Sequence, residues 1–400
     1  MGGAIRDKLL GLAVKEQDYV VVGASPEHMI EKGFKPVGKD FPVFLHPVTQ
    51  QEYALARTER KNGPGYKGFQ CYAAPHVTLE EDLKRRDLTI NALAESLDGQ
   101  IIDPYNGLHD LENKILRHVS WAFVEDPVRI LRVARFMARF SGLGFQIADE
   151  TLTLMQRMVH NGEVNALVPE RIWREFSKAL QEANPEQFIM TLYHCGALKC
   201  ICPEFNQLFY ISQKDSNLGL IAIQALQYIV KIMPCNPPNI VIRFAALMQY
   251  LPTQAAQTLA KRWRLPTIYR DLMLLSTRFR EKIHQITQVT PEILMNLLEQ
   301  LDAFRRPDRF KAFLAVCTSS WCVQDKDAIH TIEQFTTRKK LLLAYEAARS
   351  ISVTTLLKAQ SCEGDDGKTL GLKLKKARIK AIHEKLTFID LAERGNIAEQ

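Results

Sequence analysis

The sequence predicts an α+β head followed by a long all-α remainder, and three observations carry that prediction. Short β-branched and aromatic runs alternate with helical stretches over roughly the first hundred residues. One glycine-rich, basic stretch interrupts them at residues 60–68. From about residue 119 the apolar residues recur at helical spacing almost to the end.

The head elements follow in order. Tyr19-Val20-Val21-Val22-Gly23 is a strand candidate, as are Phe41-Pro42-Val43-Phe44-Leu45 and Glu52-Tyr53-Ala54-Leu55-Ala56. Gln100-Ile101-Ile102-Asp103 is another, closed by the turn Pro104-Tyr105-Asn106-Gly107. Residues 4–12 and 83–97 read as helices. Arg60-Lys61-Asn62-Gly63-Pro64-Gly65-Tyr66-Lys67-Gly68 is too rich in Gly, Lys and Arg for regular structure and reads as a mobile basic loop. Helices are expected at 127–140, 148–159, 169–182 and 239–251, with breakers at Cys235-Asn236-Pro237-Pro238 and Glu363-Gly364-Asp365-Asp366-Gly367. There is no internal repeat. The expected domains are residues 1–118, 119–200 and 201–400.

A chain of 400 residues is too long for one ordinary core, so two to four units are expected. Hydrophobic residues are 46% and charged residues 24%, a balance that argues against extensive disorder. The net charge of +7 suits an anionic partner, nucleic acid included. The eight cysteines form no Cys-x-x-Cys pair, so free thiols in a reducing cytoplasm are the simplest account. No window reaches about 18 consecutive apolar residues, and no membrane partner is expected.

Three constellations could carry chemistry. Gly2-Gly3 before a helix lets backbone N–H groups approach a phosphate, and Arg6 in the first turn can reach the same anion. Glu16 and Asp18, two apart at a strand entrance, share one face and could hold Mg²⁺. Arg129, Arg132 and Arg135 recur every three residues on one helix, with Pro127 at its first position and Asp126 placed to cap it. Each also has a plainer reading: a turn, two surface acids, a solvated basic face.

Taken together, these motifs resemble the nucleotidyltransferase superfamily that contains DNA polymerase β. Gly38-Lys39-Asp40-Phe41-Pro42-Val43-Phe44-Leu45-His46-Pro47 resembles the bacterial class II CCA-adding enzymes, of the tRNA nucleotidyltransferase and poly(A) polymerase family. So do Ala56-Arg57-Thr58-Glu59-Arg60-Lys61, the stretch Leu83-Lys84-Arg85-Arg86-Asp87-Leu88-Thr89-Ile90-Asn91-Ala92-Leu93-Ala94, and the stretch Phe123-Val124-Glu125-Asp126-Pro127-Val128-Arg129-Ile130-Leu131-Arg132-Val133-Ala134-Arg135-Phe136.

The resemblance implies a polymerase-β-like head, then a helical neck, body and tail. It implies addition and repair of the 3′-terminal CCA of tRNA from CTP and ATP, with release of pyrophosphate. Glu16 and Asp18 would be the catalytic metal ligands for Mg²⁺. Gly3, Arg6, Arg86 and, less firmly, Asp87 would lie at the nucleotide. Asp126 and Arg129 would read the base, and Arg132 and Arg135 would contact phosphate or nucleotide. A poly(A) polymerase, a CC-adding or A-adding specialist and a non-catalytic RNA-binding descendant remain open.

Three departures from the family stand out. The first acid is Glu16 where Asp is frequent. Gln249-Tyr250 stands where relatives carry a His-Asp metal dyad, and no histidine lies between His194 and His284, so a degenerate HD region is expected. An apolar strand ordinarily leads into the Gly-Gly turn, so the expectation is a natural product that starts several residues before Met1. Further on, the basic run Lys373-Leu374-Lys375-Lys376-Ala377-Arg378-Ile379-Lys380 suits either RNA backbone contact or a solvated amphipathic helix.

Overall fold

The structure is a computed structural model. It describes residues 1–14, 17–37, 42–61, 69–213, 216–234, 237, 239–286, 289–323, 335–354 and 367–397. It divides into two compact units, Met1–Asn206 and Gln207–Gln400.

The first unit opens with helix α1 (Gly3–Leu9) and strand β1 (Tyr19–Val21). Helix α2 (Pro26–Glu31) follows, started by the Ser25 side chain, which accepts from His28 N–H, and by Pro26 in the first turn. Strands β2 (Lys35–Val37), β3 (Val43–Leu45) and β4 (Glu52–Leu55) complete a sheet of order β1-β4-β3-β2. β1 runs parallel to β4, and the β4–β3 and β3–β2 pairs are antiparallel. Met29, Phe44 and Leu55 form the small core beneath it. The expected strands at 19–23, 41–45 and 52–56 therefore appear, each shorter than its apolar run.

Strands β5 (Thr58–Lys61) and β6 (Phe69–Tyr72) form an antiparallel pair. Arg60 and Lys61, expected in a loop, belong to β5, and residues 62–68 lie outside the described residues.

The expected helix at 83–97 is not formed. A capping box of Thr78 and Glu81 starts helix α3 (Leu79–Lys84), which ends at Arg85. Thr89–Asn91 is a single 3₁₀ turn, and strand β7 (Ala94–Glu95) pairs with strand β8 (Ile101–Ile102). Two physical causes act here. The Asp87 carboxylate accepts from Leu88 N–H (2.8 Å) and from Asn91 Nδ2 (3.0 Å), which offers the chain a local alternative to the helix. Leu88, Ile90 and Leu93 are all fully buried, and spacings of two and five do not form one helical stripe. Arg85-Arg86-Asp87 thus lies at the end of a short helix, not at the start of a long one.

Helix α4 (Gly107–Glu112) leads to a short parallel ladder of Ile115–Leu116 with Gln146–Ile147. Between these segments runs helix α5 (Val128–Phe140), buried on nearly every side. It packs against α7 (Pro169–Ala179) and α8 (Glu186–His194), with α6 (Asp149–His160) nearby in sequence. Phe123, Ile130, Val133, Phe140, Phe176 and Phe188 are core residues here, each no more than 1% exposed.

The second unit is helical among its described residues, apart from the two-residue ladder of Ser212–Gln213 with Ser216–Asn217. Its main helices are Leu218–Ile232, Ile240–Met248, Thr253–Arg262, Thr267–His284, Pro291–Gln300, Pro307–Cys322, Thr336–Ser350 and Gly367–Ile397. One core joins them, with Phe279, Leu298, Phe310, Phe313 and Leu341 inside. In the basic run, Lys375 pairs with Glu299 at 2.6 Å and Arg378 sits over the Phe304 ring at 4.2 Å. Among the described residues no helix is long and apolar enough to cross a membrane.

Candidate active site

A cavity of about 600 Å³ opens within the first unit. Gly3, Arg6, Asp18, Arg86, Asp87, Asp126, Arg129, Arg132 and Arg135 all line it. Residues expected at one site thus meet there from α1, β1, the end of α3 and α5. Glu16 lies outside the described residues.

Eleven cationic side chains line the cavity against four carboxylates. Arg57, Arg85, Arg139, Arg171, Arg174 and Lys178 belong to this set and escaped the sequence reading. The signal for three of them was present: Arg171, Arg174 and Lys178, at spacings of three and four, share one face of α7. Such crowding of positive charge suits a polyanion. Its effect is visible at Lys178. Burial lowers its pKa, and Arg174, Arg135 and Arg132 push the same way against Glu175.

Several arginines are held by fixed partners. Arg132 Nε donates to Asp87 Oδ2 at 2.7 Å, and Arg135 Nε to Glu175 Oε2 at 2.7 Å. Arg6 is buried, bonded to Asp7 at 2.8 Å and to Asn91, with its guanidinium 5.2 Å from the Phe136 ring centre and 5.0 Å from that of Phe140. Asp7 also accepts from Arg139 at 2.9 Å, which links α1 to α5. Arg86 donates to Asp82 at 3.2 Å, and its buried Nε has no hydrogen-bond partner among the described residues. Gly2 has φ 63°, and a Cβ there would stand 2.9 Å from Arg86 Nη1, so only glycine fits this approach without displacement.

Burial by itself would raise the pKa of the Asp87 carboxyl. The Arg132 charge and hydrogen bonds from Asn91, Arg132 and Leu88 N–H outweigh it and hold the group far below the usual carboxylate range.

The stripe on α5 is not a solvated face. Arg129 is 8% exposed and Arg135 9%. Arg129 Nη1 donates to the Ala122 carbonyl at 2.8 Å, and Nη2 to the Arg85 carbonyl. Asp126 accepts from Val128 N–H at 3.1 Å, the capping contact expected from the sequence. It also accepts from both terminal nitrogens of Arg171, at 2.9 and 2.7 Å.

Asp18 is exposed on the cavity wall, and its carboxylate has no hydrogen-bond or ion-pair partner among the described residues. An uncommitted carboxylate beside a cationic cavity fits a hard divalent cation, which takes oxygen ligands. No group of three or more His, Cys, Asp or Glu that could hold a metal occurs among the described residues.

The second unit has its own relevant place. Gln249 is buried, and its Nε2 donates to the Ala246 carbonyl (3.0 Å) and to Ser319 Oγ (3.1 Å). Tyr250 is buried beside it with the Arg280 guanidinium 4.5 Å from its ring centre, and burial pushes the Tyr250 hydroxyl pKa up. Neither side chain is a metal-ligand type of the HD dyad.

Comparison with known proteins agrees with this architecture. Residues 1–117 match the family described as the poly A polymerase head domain. Residues 144–209 match the probable RNA and SrmB-binding site of polymerase A. A multifunctional CCA protein of Nitrosococcus oceani is 45% identical over 408 residues, spanning 96% of this chain and 97% of its own. One of Methylobacillus flagellatus is 49% identical over 341 residues, spanning 79% and 82%.

Among solved structures, a CCA-adding enzyme in complex with ATP superposes with a TM-score of 0.68 at 21% identity, covering 99% of this chain and 89% of its own. The Thermotoga maritima CCA-adding enzyme complexed with tRNA_CCA gives 0.64 at 20% identity, covering 97% and 90%. At such identities these structures establish the fold, a polymerase-type head followed by a helical remainder. The curated relatives, matched at full length, establish more: this chain belongs to the family of the multifunctional CCA proteins, the CCA-adding branch of the poly(A) polymerase-head nucleotidyltransferases.

Proposed function

We propose that the protein is a template-independent tRNA nucleotidyltransferase that adds and repairs the 3′-terminal CCA from CTP and ATP. The observation that carries this reading is the meeting of Asp18, Arg86, Asp126, Arg129, Arg132 and Arg135 around one cationic cavity. The RNA 3′ hydroxyl attacks the α-phosphorus of the nucleotide, the new phosphodiester forms and pyrophosphate leaves. Mg²⁺, held by Asp18 together with Glu16, would activate the hydroxyl and neutralise the triphosphate.

The chain's own residues supply positioning and charge. Arg86 and Arg132 lie where triphosphate oxygens need compensation, with Gly3 at the start of α1 beside them. Asp126 and Arg129 face the base. Cytosine and adenine both present an exocyclic amino donor on that edge, whereas guanine and uracil present a carbonyl oxygen. A carboxylate acceptor therefore admits C and A and leaves G and U with two facing acceptors. Residues 1–118 would be the head, 119–200 the neck carrying the base-reading helix, and 201–400 the body and tail that grip tRNA by shape and phosphates.

The test uses tRNA lacking its CCA end, with CTP and ATP supplied separately and together. CTP alone should add two residues, and both nucleotides together should complete the triplet. A poly(A) polymerase would instead extend with ATP alone, a specialist would stop at one stage, and a non-catalytic descendant would add nothing.

A further inference from the structure

We infer that Arg171 is a positioning residue for base selection: it determines which acceptor of Asp126 is offered to the incoming base. The inference rests on the proposed base-reading role of Asp126 and deepens it.

An ionised carboxylate has about four lone-pair positions. At Asp126, Oδ1 accepts from Val128 N–H (3.1 Å) and from Arg171 Nη1 (2.9 Å), and Oδ2 accepts from Arg171 Nη2 (2.7 Å). No other hydrogen-bond donor reaches this carboxylate among the described residues. That leaves a single open position, on Oδ2, at the wall of the cavity. One open acceptor is what recognition of one amino group needs.

The geometry of the clamp matters. A guanidinium grips both oxygens of a carboxylate in one plane, which stops rotation about the last side-chain bond. Without it, Val128 N–H alone would hold Oδ1, and Oδ2 would turn and hydrate. A freely turning carboxylate still attracts donors, but it no longer places an acceptor at one point. Arg171 comes from α7, 45 residues further along the chain, so the orientation of Asp126 is set from outside its own motif. Arg129 is anchored separately, by the carbonyls of Ala122 and Arg85. The two halves of the base reader therefore have independent supports, and removing one should not disorder the other.

The test measures kcat and KM for CTP, ATP, GTP and UTP on tRNA lacking its CCA end. It compares the wild-type full chain with Arg171→Lys, Arg171→Met and Asp126→Ala. Lysine keeps the charge but cannot grip both oxygens, so it separates charge from geometry and covers the case in which the methionine variant folds poorly. The kcat/KM preference for CTP over UTP and for ATP over GTP should fall on the order of tenfold in both Arg171 variants, mainly through higher KM for CTP and ATP. An equal loss for all four nucleotides with the preference intact, while Asp126→Ala relaxes it, would overturn the inference and leave the base-reading role standing. Unchanged preference in Asp126→Ala as well would remove the base-reading role, and the inference with it.

Discussion

Asp87 and Arg132 form a 2.7 Å ion pair that ties the turn after α3 to the middle of α5, with the aspartate only 6% exposed. The nucleotide end and the proposed base-reading helix are thereby held in one frame. Two residues first noted for contact with a ligand also contact each other, so each has a structural consequence that can be measured.

That pair predicts acid sensitivity. A carboxyl held below its unfolded pKa contributes stability that is complete above the unfolded value of about 4 and is lost as pH falls toward the folded value. Asp87→Ala should lower stability near pH 7 by about 3 kcal/mol, because a buried Arg partner is left unpaired. It should also flatten the loss of stability below pH 4. Denaturant unfolding at pH 7 and pH 3.5 checks both. An Asp87→Ala protein as stable as wild type at pH 7 would show that the pair is energetically idle.

Asp18 carries the next prediction. Its carboxylate is exposed on the cavity wall and uncommitted among the described residues. Asp18→Ala should abolish nucleotide addition while tRNA binding and thermal stability change little. Glu16→Asp should keep activity, since the charge is retained. Near wild-type turnover of Asp18→Ala in Mg²⁺ would remove Asp18 from the metal site.

Arg129→Ala should relax base choice more than it weakens tRNA binding. Loss of one charged hydrogen-bonding partner costs about 1–3 kcal/mol of discrimination. The measurement is incorporation of GTP and UTP beside tRNA affinity. If GTP and UTP stay excluded as strongly as in wild type, Arg129 does not read the base.

Hydrolysis is expected to be absent from the second unit. Gln249 spends its amide donor on Ala246 and Ser319, and Tyr250 is buried under Arg280. Purified protein with added Ni²⁺, Co²⁺ or Mn²⁺ should not hydrolyse 2′,3′-cyclic nucleotides. Metal-stimulated hydrolysis that survives repurification would contradict this.

Much of the site was legible because its signals are local. Gly2-Gly3, Asp18 and the Asp126-to-Arg135 segment each declare a chemistry within a few residues. The helix expected at 83–97 failed for an equally definite reason. Its apolar residues are buried on all sides and carry no period, and Asp87 competes for the backbone and the neighbouring Asn91 side chain. Periodicity reports a helix only when one face is wet. The α5 arginines illustrate the same limit: their spacing of three is that of a solvated stripe, and burial of Arg129 and Arg135 cannot be read from spacing.

The sequence by itself determined the order of the elements, the family resemblance and which residue types could do the chemistry, because these depend on neighbours along the chain. Only the tertiary structure decided the partners. Asp87 meets Arg132 across 45 residues, Arg135 meets Glu175 across 40, and Asp7 meets Arg139 across 132. No local pattern encodes such pairs, since the energy of an ion pair depends on distance and burial, and both are set by how α1, α5 and α7 pack. Arg171 is the clearest case: on the chain it is one basic residue of an amphipathic helix, and in the fold it holds Asp126.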